Sequence, residues 1–158
     1  MIAGLPGFFQ YNLWANLSLL DACEQLTDAQ LDATMTGTFG SIRETLIHLL
    51  GAEEGYVAAL TGNIPDPRLR DLPTFPGFDE LRRRAQRSGS ALIAYAEQGD
   101  PGQTLYLDGG TYEATTTIVL IQAIDHAIDH RSQISTLLSQ QGIEPPDLDA
   151  WAYNDSMH

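Results

Sequence analysis

Two of the chain's four histidines stand four residues apart in AIDHAIDHRSQI, residues 123–134. On a helix, at ~100° per residue, His126 and His130 differ by about 40°, so both imidazoles can reach one point in space. Val119, Ala123, Ile134 and Leu137 project to roughly the same side, which turns the pair away from open solvent. Two neutral imidazoles on one face supply two thirds of a three-nitrogen metal site. A third ligand has to come from another helix, and His48 is the only other interior histidine, His158 being the last residue. Three nitrogens leave a fourth position open to water or substrate, as in catalytic rather than structural sites. A pair of hydrogen-bonded core histidines would account for the same spacing.

The neighbouring side chains offer further roles. His48 projects about 140° from the centre of the Ile42, Leu46, Leu49, Val57 stripe and shares its side with Thr45, Ala52, Gly55 and Ala59. Such small residues suit a close helix approach, a cleft wall or a bland surface. Glu53 falls in the middle of the apolar stripe, where a carboxylate needs a partner or a proton. It is a candidate fourth ligand, an acceptor behind a ligand, or a buried hydrogen-bonded glutamate. Asp125 and Asp129 flank the histidine face. A carboxylate that accepts the distal imidazole N–H would fix the ring and raise its basicity, and a solvated acidic edge is the simpler alternative. Gln133, just past His130, either orients a bound ligand or is a surface amide. The sharper metal motifs are absent: Ala127 replaces the glutamate of H-E-x-x-H, and Thr45 and Ala127 stand where a di-iron bundle needs glutamate.

Four long helices must carry these groups. The first covers about 5–26, with Phe9, Leu13, Leu17 and Leu20 at helical spacing. TDAQLDA follows as a short turn with Thr27 as N-cap. SIRE, from Ser41 to Glu44, is a capping box that opens the second, and Gly62 ends it. Residues 62–78 hold four prolines and read as a loop. The third runs from about Asp79 to Glu97, and the fourth from about 115 to 141, stopped by Gly142 and barred from continuing by Pro145 and Pro146. Between them LYLDGGTYEA alternates around Gly109-Gly110, a β-hairpin signal. DLDAWAYND adds a last turn over the bundle. The expectation is an all-α four-helix bundle, one domain over residues 1–158, with a small hairpin before the last long helix.

Composition removes several classes of function. The 158 residues carry a net charge of −13 and no lysine, which repels nucleic-acid phosphates and anionic membranes. RRRAQR, residues 82–87, is a basic run best explained as a solvated face or a subunit contact, with an anion site as the alternative. The single cysteine, Cys23, lies between acidic neighbours in an apolar helix, a poor setting for a nucleophile. No basic-then-apolar leader opens the chain and no apolar run approaches the ~20 residues of a membrane span, so a cytoplasmic protein is expected. No phosphate-binding or dinucleotide glycine motif occurs.

Three blocks, taken together, resemble the DinB/YfiT-like superfamily. YNLWAN at 11–16 is similar to its first-helix signature, GSIRETLIHLLGAEEGYVAALTG at 40–62 to its second helix, and HAIDHRSQISTLLSQQGIEPP at 126–146 to its H-x₃-H-R-x-Q-I segment and Pro-Pro ending. The resemblance spans nearly the whole chain. It implies a four-helix bundle, often a homodimer, with a divalent metal held by His48, His126 and His130. Two positions depart from the usual pattern: Tyr56 stands where tryptophan is common, and Ser132 replaces a glycine beside the site. Characterised branches of the superfamily transfer low-molecular-weight thiols such as bacillithiol or mycothiol onto small electrophiles, or isomerise with a thiol cofactor. The resemblance therefore implies a thiol S-transferase acting in stress or detoxification, with zinc or nickel as the metal and a thiol as cosubstrate. Such chemistry needs no protein nucleophile, because a thiol coordinated to a divalent cation is deprotonated and attacks as the thiolate. Metal-bound hydroxide on the same residues would make a hydrolase. A non-catalytic metal- or small-ligand-binding bundle and a purely structural dimerisation module complete the alternatives.

Overall fold

A computed structural model describes residues 4–158. Its helices are α1 (Gly4–Glu24), α2 (Asp28–Leu31), α3 (Ile42–Thr61), α4 (Phe78–Gln98), α5 (Thr116–Gln140) and α6 (Ala150–Asp155), with strands β1 (Thr104–Leu107) and β2 (Tyr112–Thr115) just before α5. The strands pair antiparallel in the register Thr104 to Thr115 through Leu107 to Tyr112. The expected bundle and hairpin are both present.

Local chemistry sets the boundaries. Ser41 Oγ accepts the Glu44 N–H and Glu44 Oε2 accepts the Ser41 N–H at 2.8 Å, so two backbone donors at the start of α3 are satisfied reciprocally. Thr27 and Gln30 repeat the device at α2. Gly62 closes α3 at φ 76°, a left-handed conformation that costs glycine little. Asp149 starts α6 by accepting the N–H groups of Trp151 and Ala152.

The long helices close a ring: α1 packs on α4, α4 on α3, α3 on α5, and α5 back on α1. Inside the ring are two apolar clusters. One contains Leu19, Leu20, Leu46, Leu50, Leu81 and Ile134, and the other Phe9, Leu60, Leu92, Val119 and Leu120. Along α1, α3 and α4 the positions between the clusters are polar and buried: Asn12, Asn16, Glu53 and Ser88, with Arg131 buried on α5.

That layer corrects the apolar stripe expected on the first helix. Phe9 and Leu20 are buried, but Leu13 and Leu17 are only half-buried, and Asn12 and Asn16 take the interior positions. Leu13 instead lies over Gly89 of α4, where an added Cβ would come within 2.8 Å of Leu13 Cδ1. Glycine at 89 is thus what lets α1 and α4 approach so closely.

The first three arginines of the basic run on α4 are taken up within the molecule. Arg82 bonds Asp21 and Glu24 of α1, Arg83 pairs with Glu80, and Arg84 reaches Glu54 of α3 at 2.7 Å and Glu80 at 2.6 Å. No described helix is long and apolar enough to cross a membrane.

Candidate metal centre

The site lies in the seam between α3 and α5. His48 comes from the second turn of α3, while His126 and His130 come from successive turns of α5. One ring nitrogen from each lies within 4.8 Å of the other two, and His126 Nε2 stands 3.0 Å from His48 Nε2. Ring centroids are separated by 4.3 to 4.9 Å. Tetrahedral ligation with metal–nitrogen bonds of ~2.0–2.1 Å puts ligand atoms about 3.4 Å apart, so a cation fits this donor set. All three donors are nitrogens, which suits zinc, nickel and similar divalent ions.

His48 occupies the position its helical phase indicates. It lies off the core stripe of α3 and is half-buried, and the seam it faces holds the other two imidazoles. The site is at an edge of the bundle rather than in its centre, so a residue off the stripe is where a ligand has to be.

The electrostatics favour neutral rings. Burial, followed by the neighbouring His130 and His48, pushes His126 down to about 4, with Asp129 and Asp125 opposing. Burial and then His130 also lower His48. Neutral imidazole is the form that binds a metal.

His130, only 6% exposed, is held by Gln133. Gln133 Oε1 accepts the Phe39 backbone N–H at 2.9 Å, and Gln133 Nε2 donates to Asp129 Oδ2 at 3.1 Å. Those two bonds fix which way the amide points. The same oxygen lies 3.2 Å from His130 Nδ1, so Nδ1 carries the proton and Nε2 is left for a ligand. Asp129 therefore acts through Gln133, and neither it nor the exposed Asp125 bonds an imidazole directly among the described residues.

Two aromatic rings complete the walls. Phe39, in the loop before α3, stacks on His48 with centroids 3.9 Å apart at 13°, and meets His130 edge-on at 5.6 Å. Tyr56 stands edge-on to His126 at 5.9 Å. Phe39 carries no periodic signal and is absent from the sequence expectations.

Glu53 is not brought to the histidines. Its carboxylate accepts from Asn12 Nδ2 at 2.9 Å, Asn16 Nδ2 at 3.1 Å and the Ser88 hydroxyl at 2.5 Å. Arg131 Nη1 donates to both asparagine carbonyls at 2.7 Å. Two amides thus relay between a guanidinium and a carboxylate, each only 3% exposed. Burial raises the Glu53 carboxyl, against the pull of Ser88, Asn12 and Arg131. The buried, hydrogen-bonded alternative is the one present.

Comparison with known proteins places the fold. The DinB family matches residues 1–157. The Protein DinB of Bacillus subtilis (strain 168) is 21% identical over 155 residues, covering 92% of this chain and 90% of its own. The crystal structure of a DinB-like protein from Bacillus cereus ATCC 10987 superposes with a TM-score of 0.68 at 21% identity, over 93% of this chain and 99% of that one. With a match over nearly every residue and a shared bundle fold, the chain belongs to the DinB family.

Proposed function

We propose that the chain is a divalent-metal-dependent enzyme that transfers a low-molecular-weight thiol onto a small electrophilic molecule, with His48, His126 and His130 as the metal ligands. The observation that carries this reading is the convergence of three imidazoles, without a carboxylate, in a seam that solvent can reach. When bound, a divalent cation supplies Lewis acidity that lowers the pKa of a coordinated thiol or water. The chain's own residues do the rest. Gln133 holds the proton on His130 Nδ1, and Phe39 keeps water off one face of the His48 ring. The one cysteine supports a mechanism with no protein nucleophile, because burial raises its thiol to about 12. Zinc and nickel both suit the donor set.

Elemental analysis of protein purified without chelator is the direct test, run beside a His48→Ala, His126→Ala, His130→Ala triple variant. The expected result is about one zinc or nickel per chain in the parent and none in the variant. The parent alone should then conjugate thiols to a panel of electrophiles. Metal-free parent protein that takes up no ion near neutral pH would sink the reading. Metal-dependent hydrolysis with no thiol transfer would redirect it to water as the nucleophile.

We propose also that two copies pair through a groove of about 720 Å³ formed by α1, α5 and α6. Phe8, Ile124, Ile128 and Trp151 line it, and among the described residues none of the ten that line it is charged. In a chain of net charge −13, a charge-free apolar face is where two like molecules can approach.

A further inference from the structure

A second concavity begins one helical turn from the histidines. It is a cavity of about 530 Å³ between α3 and α5, roofed by the hairpin and by Arg70 from the loop after α3. Ala52, four residues beyond His48, and Gln122, four before His126, both line it, and four helical residues rise only ~6 Å. Tyr56 is shared: it lines the cavity and touches the His126 ring.

The floor and the single cation are informative. Gly55 lies in the middle of α3, where glycine weakens a helix, yet an added Cβ there would meet nothing within 4 Å. Protein packing gives no reason for the missing side chain, and the space above it is the cavity. Leu107, Tyr112 and Ile118 make apolar walls. Among the described residues Arg70 is the only cation lining it, and the one ion-pair neighbour they give it, Asp71, is 3.9 Å away, with both side chains more than half exposed. Its guanidinium fork is therefore available to a carboxylate. Asp108 supplies one negative charge at the hairpin tip, and the whole chain is strongly acidic, so a polyanion is disfavoured.

We infer that this cavity docks the molecule on which the metal centre acts, and that this molecule is a compact apolar monoanion, an organic carboxylate of about aromatic-ring size held by Arg70. The inference rests on the proposed metal-enzyme reading for the purpose of the cavity, but its ligand chemistry can be tested alone.

The test uses 4-chloro-3-nitrobenzoate and its methyl ester, titrated calorimetrically into metal-free protein so that no ion can hold the carboxylate. The acid is expected to bind at least about tenfold more tightly than the ester, a ratio that a lost charge-assisted hydrogen bond readily produces. Arg70→Gln should erase that preference while leaving ester binding in place. Gly55→Leu should fill the floor and abolish binding of both, with its circular dichroism unchanged. All three proteins should take up one Co²⁺ per histidine cluster. Equal binding of acid and ester, no binding of either, or a preference that survives Arg70→Gln would overturn the inference. Co²⁺ uptake without carboxylate binding refutes the cavity assignment and leaves the metal-enzyme reading standing. Arg70-dependent carboxylate binding without Co²⁺ uptake refutes the metal reading and leaves the anion site.

Discussion

Gln133 carries more of the site than its exposed neighbours suggest. Its amide oxygen accepts one hydrogen bond from His130 Nδ1–H and another from the Phe39 backbone N–H, and its nitrogen donates to Asp129. Removing the amide frees both the ring and the loop that places Phe39 over His48. Gln133→Leu should therefore weaken Zn²⁺ binding by about 10–100-fold without unfolding the protein, measured by competition with a chromophoric chelator. At this scale the sequence shows the imidazoles clearly, because an i, i+4 pair on one face is a geometric statement. His48 is harder, since its phase places it off the core and only the α3–α5 seam explains why that suits a ligand. Phe39 is illegible: it sits in an irregular loop, and its stacking on His48 depends on a backbone path that no local pattern encodes.

The helices themselves are more legible than what they enclose. The Ser41–Glu44 capping box, the Thr27 cap, the glycine stops and the hairpin follow from local rules, while the Gln30 half of a second box emerges only in the structure. The interior of α1 does not. Asn12 and Asn16 have the same four-residue spacing as the histidine pair, but two amides on a helix ordinarily face solvent, and their burial depends on Glu53 and Arg131 arriving from other helices. Taking away the guanidinium leaves a buried carboxylate without its cation. Arg131→Met should cost about 3–5 kcal/mol in urea unfolding, and adding Glu53→Gln should recover a measurable part of it. Equal stabilities for the single and double variants would show that the two charges are not coupled through the amides.

For the molecule as a whole, the uncharged groove is the feature that composition hides. Trp151 is 79% exposed at its rim, a costly place for indole in water unless something covers it. Trp151→Asp should shift the protein from dimer to monomer in sedimentation while leaving its metal content unchanged; a monomeric parent would refute the pairing. The polar layer has a consequence of its own. It draws side chains from all four long helices, and Arg131 follows His130 directly on α5. Sliding that helix by even one residue would strand a guanidinium in hydrocarbon and swing His130 away from its companions. The interior acts as an alignment key, so the three rings are already aimed before any ion arrives, and loading the site should require little rearrangement of the backbone.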